Sequence, residues 1–510
     1  MTGWFQCDRL TANCTFSCLS CCLSHHECKN RCSICKQPWY TNLNFLVLDR
    51  NKNEPPLDKG FIPWLGHVLE FLKDAGKFLS RMKDKHGDIF TVRVAGIYVT
   101  MLLDPNSFDG VLNDDTNSFD FSNRRGQLLK KIFNLQLPGY YPASERKWME
   151  QHFHGVNQQK LNASMNAHLS NVMLKSFESR SPSEWREDGL FELCYSLLFR
   201  AGYLTLFERR DDVDAVYEEF RKFDDLLTKL ARGSLKRGKV VATSQDRLWD
   251  LLSPGHVNGS WQQSYVQFLQ EMGVDADMQK KAQLLQLWNT QCNAGPAAFW
   301  VLGFLLTHPE AMEAVKSEIR GLPSLQDTSL QRRPLNQLES QSTPVFDSVL
   351  SETLRLTAAV MINRKVVKDK ILRMANGKEY HLRRGDRVCL FPFLSPQMDP
   401  QIHEEPQMFK YDRFLNEDKT VKKEFYKDEK KLKYFTMPWG AGKNICVGKE
   451  FAVTSIKQFV FLFLTHFDLE LCSPSSKLPP VNPSRFGFGM LQPDGDLRVR
   501  FRLKTMQHEM

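Results

Sequence analysis

Apolar residues recur at near-helical spacing from Val68 to His86 (Leu69, Leu72, Phe78, Leu79 and Met82) and stop at Gly87, which predicts one helix over that stretch. From Ile89 to Leu103 the chain alternates and turns at Ala95-Gly96, the pattern of a hairpin opening a small sheet. Helical spacing then dominates from about residue 106 to 360, with a long apolar helix over Met278–Thr307 and a shorter one over Val345–Thr357. Pro296 lies inside the long helix and predicts a break or kink there, because it lacks an amide hydrogen and its ring crowds the carbonyl one turn back. Short strands return at Val388–Phe391 and Leu497–Leu503. The expected fold is mainly α with small β-sheets.

Residues 1–53 show no such periodicity. They hold no run of about 20 apolar residues that would span a bilayer, and no apolar segment before a small-residue cleavage site. Order is expected to begin at the Pro-rich joint Glu54–Asp58, giving a disordered head (1–53) and one large domain (54–510). The full 510 residues exceed the roughly 250 to 300 at which a single core usually stops growing. Eight of the 13 cysteines (Cys7, Cys14, Cys18, Cys21, Cys22, Cys28, Cys32 and Cys35) fall in the head. Cys18-x-x-Cys21 and Cys32-x-x-Cys35, with His25 and His26 between, have a zinc-like spacing that Cys22 and Cys28 blur; acylation or an unstructured leader are the alternatives. The other five cysteines are too scattered for a disulfide framework, so the body reads as reduced and cytosol-facing.

A net charge of +9 favours anionic partners such as lipid headgroups or an acidic protein. No nucleic-acid motif accompanies it, which excludes that class, and Lys422–Lys433 reads as a solvated loop.

Candidate chemistry concentrates in Met437–Gly448. Cys446 sits there between Gly442 and Gly448, ahead of a helical pattern running to Phe463. An isolated cysteine is usually a small buried hydrophobe. Here the glycines would let a flat macrocycle approach the backbone, and the positive end of the following helix would lower the thiol pKa. Glu352 and Arg355 share one face of an otherwise apolar helix, and Arg413 is the natural third member of a buried triad.

A Glu-x-x-Arg helix, an Arg-Phe segment and a Gly-x-x-x-Cys-x-Gly loop, in this order, resemble the cytochrome P-450 superfamily over residues 55–510. The resemblance implies haem b with Cys446 as axial iron ligand, sandwiched between the long kinked helix and the cysteine loop, with Trp439 and Gly442 beside it. Trp439 replaces the Phe of many members, and Asn444 replaces a basic residue two positions before the cysteine. A propionate-binding cation is therefore expected elsewhere, from Arg364 or Lys131.

Gly295 and Pro296 stand where monooxygenase members carry an acid and a threonine, and neither side chain delivers a proton. Gln291–Trp300 resembles both endoperoxide-isomerising members and sterol 12α-hydroxylases, whereas Leu230–Leu235, Arg247–Trp249, Leu251–Pro254 and Val349–Ala359 resemble the isomerases. This implies isomerisation of the lipid prostaglandin H2 by O–O homolysis, with no dioxygen, NADPH or obligatory reductase, and hydroperoxy fatty acid dehydration as a side activity. A sterol 12α-hydroxylase is the alternative. Asn293 would orient the endoperoxide; equally, it would bond to backbone carbonyls freed at the kink. Lys131, Leu137, Asn363, Arg364 and Arg387 are implied as further substrate contacts. The resemblance also implies the cytosolic face of the endoplasmic reticulum membrane, with attachment through Phe223–Leu230 or acylated head cysteines.

Overall fold

The computed structural model describes residues 53–504 except 140, 177–183, 209–211, 233–238, 254–259 and 323–340. The cysteine-rich head, with its zinc-like spacing, lies outside the described residues.

Eight helices position the site: α1 (Ser122–Phe133), α2 (Tyr141–His152), α3 (Leu190–Phe207), α4 (Val213–Arg232), α5 (Ala276–Gln291), α6 (Ala294–Thr307), α7 (Pro344–Thr357) and α8 (Lys449–His466). The apolar character of α3 extends round most of its circumference, and it is buried accordingly. It is long and apolar enough to cross a membrane by composition, but 78% of it is buried inside the protein, where it serves as the central core helix. α5, α6 and α4 pack around it.

A six-stranded sheet runs in the order Leu57–Asp58, Ile89–Val94, Ile97–Leu102, Arg387–Leu390, Ile362–Val366, Phe119–Asp120. The expected hairpin is present: Val94 pairs with Ile97, and Ala95 and Gly96 both take positive φ, the geometry that matches the twist of a two-residue turn. A second sheet joins Arg186–Gly189, Arg498–Leu503 and Phe467–Leu471.

Of three expectations, the first and third are corrected and the second is met. The helix read over Val68–His86 is two, Val68–Lys73 and Ala75–His86, because Asp74 leaves helical geometry to cap the second by accepting from Lys77 N at 3.0 Å. The break leaves Leu69 58% exposed. Second, the break or kink expected in the long helix over Met278–Thr307 is present as an interruption at Cys292-Asn293, which leaves Pro296 in the first turn of α6, where its missing amide hydrogen costs little. Third, the apolar side chains of Phe223–Leu230 do not face solvent. Phe223, Leu227 and Leu230 form the inward face of amphipathic α4, all at most 3% exposed, and are unavailable to a membrane.

Gly295 is dictated by packing. A Cβ there would stand 2.5 Å from Tyr195 Cδ2 and 2.7 Å from Tyr195 Cα on α3. Gly295→Ala is expected to cost about 1–3 kcal/mol through overpacking. The check is the denaturant midpoint, which should fall with an unchanged slope.

Candidate active site

The loop before α8 is folded by its glycines. Gly440 and Gly442 have φ of 72° and 63°, and a Cβ on Gly442 would press within 3.2 Å of Leu112 O. Cys446 N donates to Trp439 O at 2.9 Å and Ile445 N to Gly442 O at 3.1 Å, closing the loop on itself. This presents the Cys446 sulfur to a cavity of about 760 Å³, bordered across from it by Asn293 and Ala294 at the α5–α6 break and flanked by Trp439 and Phe451. Ligand sites commonly span about 300–1,000 Å³.

Burial by the surrounding protein pushes the Cys446 thiol above its ordinary value. The Gly448 amide, Arg146 and Lys449 act in the opposite direction. The helix terminus therefore contributes as expected, through the Gly448 amide, at a sulfur that is open to the cavity.

Among the described residues, four cations border the cavity: Arg125, Arg146, Lys147 and Lys443. Arg146 Nη1 donates to Ile445 O at 2.8 Å, and its Nε pairs with Glu150 at 2.8 Å, so α2 is tied directly to the cysteine loop. Arg125 pairs with buried Glu145, which also accepts from Tyr141 Oη at 2.9 Å and Gln286 Nε2 at 2.7 Å. Lys131 and Arg364, the cations expected from sequence, do not border this cavity. Burial pushes both below their ordinary values, and the Arg364 guanidinium lies 5.1 Å from the ring of Phe121, which does border it. The missed signal was the clustering of Arg125 and Arg146 with carboxylates on helices flanking an aromatic segment, which periodicity alone does not place beside a loop three hundred residues later.

The remaining candidates fall in two neighbourhoods. Leu137 borders a second cavity of about 400 Å³ that shares Arg125 and Pro142 with the first. Asn363 and Arg364 lie on the strand paired with that of Arg387, with Asn363 opposite Cys389 and Lys365 opposite Arg387. Burial lowers the pKa of Arg387 as well.

Asn293 is engaged, though not with a carbonyl at the helix break. Its Oδ1 accepts from Met490 N at 3.0 Å. The freed Cys292 carbonyl lies 3.5 Å from Tyr195 Oη, at the long limit of hydrogen bonding.

Behind the cysteine loop, Arg355 binds Glu352 through Nε at 2.7 Å and Nη2 at 2.8 Å, and Arg413 Nε reaches both Glu352 oxygens at 3.0 and 2.9 Å. Arg355 Nη1 also donates to Gln397 O at 2.7 Å and Pro406 O at 2.6 Å. The sequence-predicted triad is thus brought together in full, with Glu352 and Arg355 fully buried.

The cavity suits a flat anionic macrocycle. Its floor offers one sulfur, its rim offers cations for carboxylate arms, and its walls include Met149, Phe153, Leu206 and Phe451. A cysteine ligand presented in this way, with a charged triad bracing the loop, is how cytochromes P450 hold haem, and the chain belongs to that family. The family description Cytochrome P450 matches residues 294–499.

Along most of its length the chain is similar to prostacyclin synthase of Rattus norvegicus, 50% identical over 481 residues that cover 89% of this chain and 95% of the relative. Prostacyclin synthase of Homo sapiens is 48% identical with the same coverage. The 7-alpha-hydroxycholest-4-en-3-one 12-alpha-hydroxylase of Oryctolagus cuniculus is 44% identical, covering 91% of this chain and 96% of the relative.

Proposed function

We propose that residues 54–510 form a catalytic unit that isomerises prostaglandin H2 to prostacyclin, using neither dioxygen nor NADPH. The observation that carries this reading is the similarity to prostacyclin synthases over 89% of the chain, at higher identity than to the 12-alpha-hydroxylase. The helix break supports it, because the close approach of α3 to Gly295 leaves no room for an oxygen-activating acid.

In this reading Cys446 would ligate the haem iron, Arg125, Arg146 and Lys443 would receive the propionates, and Trp439 and Gly442 would shape the loop around the group. The haem, once bound, supplies the one-electron chemistry that opens the endoperoxide O–O bond. The protein's part is to hold a single substrate pose. Asn293 donates through Nδ2 to an endoperoxide oxygen, while the apolar wall around Phe153 and Phe451 keeps water away. Lys131, Leu137, Asn363, Arg364 and Arg387 take the more distant parts of the lipid. Arg364 and Arg387 have no ion-pair partner among the described residues and are dehydrated, which favours an anionic contact for each. Attachment to the cytosolic face of the endoplasmic reticulum membrane is supported by the family and by Phe61, which is 99% exposed.

The test gives purified, haem-loaded enzyme prostaglandin H2 without NADPH or reductase and measures the stable hydrolysis product of prostacyclin by mass spectrometry. Rapid product formation is expected. No product, together with NADPH-dependent sterol oxidation, would assign the chain to the hydroxylase branch.

A further inference from the structure

We infer that Gly489 is a positioning residue for Asn293: the backbone it carries past the helix break fixes which end of the Asn293 amide faces the cavity, so that hydrogen-bond donors are presented there and not an acceptor. This rests on the proposed function only for the identity of the oxygen that receives the bond.

A primary amide is nearly symmetric in shape, and a half-turn exchanges its acceptor for two donors. Contact with a second group decides between the two states. The Met490 amide nitrogen lies 3.0 Å from Asn293 Oδ1, and a backbone N–H only donates. The carbonyl end must therefore face the 489–490 backbone, and Nδ2 with its two hydrogens is turned from it. In the reverse orientation two N–H groups would oppose each other.

This works only if the Met490 amide is itself immobile, and its segment is held on both sides. Gly487 N donates to Ala359 O at 2.8 Å, Ala359 N to Gly489 O at 3.0 Å and Leu491 N to Thr357 O at 2.8 Å, lacing the segment to the chain leaving α7. From α6, Trp300 Nε1 donates to Leu491 O at 2.7 Å. At the segment's two ends, one buried carboxylate on α4 acts as a clamp. Asp224 accepts from Arg485 Nη1 and Nη2 at 3.0 and 2.9 Å, and from Gln492 Nε2 at 2.8 Å. Met490 N takes no part in the lacing, so its hydrogen is given to Asn293 alone.

Gly489 makes the approach possible. Its φ is +95°, and a Cβ would stand 2.6 Å from Asn293 Oδ1. Any side chain would push away the oxygen that the next residue must bind, and would strain the backbone as well. The sequence places Asn293 and Met490 197 residues apart, so neither helix patterning nor the cysteine loop signals the contact.

The experiment measures the infrared C–O stretch of the ferrous carbonyl complex of the holoenzyme, which falls when an N–H donor points at the bound ligand, alongside prostaglandin H2 turnover. Asn293→Ala should raise the stretch. Asn293→Asp, which keeps an acceptor for Met490 but loses the donors, should raise it too. Gly489→Ala should move it in the same direction while the thiolate-type carbonyl absorption persists, with kcat lowered about 10- to 100-fold and KM little changed. Met490→Pro, which removes that N–H, should reproduce the shift and gives the same reading if Gly489→Ala fails to hold haem. A wild-type stretch in Met490→Pro or in a haem-loaded Gly489→Ala overturns the inference, as does a stretch that ignores Asn293→Ala. An enzyme that shows these shifts yet makes no prostacyclin would sustain the positioning role and overturn the isomerase reading.

Discussion

Cys446→Ala is expected to remove the thiolate-type carbonyl absorption and to reduce prostaglandin H2 isomerisation to that of free haem. Cys446 is the one cysteine bordering the site cavity among the described residues. Cys292, at the helix break, is buried and does not border that cavity, so it is no substitute ligand. Loss of the sulfur also removes the acceptor for the Gly448 amide at the start of α8. The check is a reduced-minus-carbonyl difference spectrum with product quantified by mass spectrometry. Either signal surviving in the variant would move the axial ligand elsewhere.

Glu352→Gln carries the second large effect. The substitution preserves shape but leaves Arg355 and Arg413 facing each other with no counter-charge, and Arg355 is fully buried. Removing one member of such a cluster costs about 3–5 kcal/mol, because the remaining charges stay desolvated. The damage should spread to the haem loop. Arg355 is bound to the Gln397 carbonyl, Gln397 Nε2 returns to Arg355 O and Ala358 O at 2.8 Å each, and Gln397 Oε1 lies 3.4 Å from Met437 N. Both haem content and the denaturant midpoint are therefore expected to fall. Exposed Arg373–Glu379 serves as the control, because its disruption should cost only about 0–1 kcal/mol. Equal shifts for the two pairs would mean that the triad does not brace the loop.

Much of the architecture was legible because it follows local rules. The Ala95-Gly96 turn, the helix over Pro344–Thr357 and the Glu352–Arg355 spacing each express periodicity or turn chemistry within a few residues. What failed was competition between two local rules, or contacts between distant segments. At Asp74 a capping side chain overrode an apolar repeat that looked continuous. The cations on the cavity rim come from α1, α2 and the loop itself, and Arg146 meets Ile445 across 299 positions. The outward face expected for Phe223–Leu230 was reversed because α4 packs its apolar stripe against α3 and α1.

The contact between Gly295 and Tyr195 bears on how this chain could acquire new chemistry. Trimming Tyr195 would not make room for an acid at position 295, since a Cβ would still meet the Tyr195 Cα at 2.7 Å. The residue at position 295 is thus held by the spacing of two core helices, and an acid could enter there only if α3 and α6 first moved apart, at a cost in packing borne before any new activity exists.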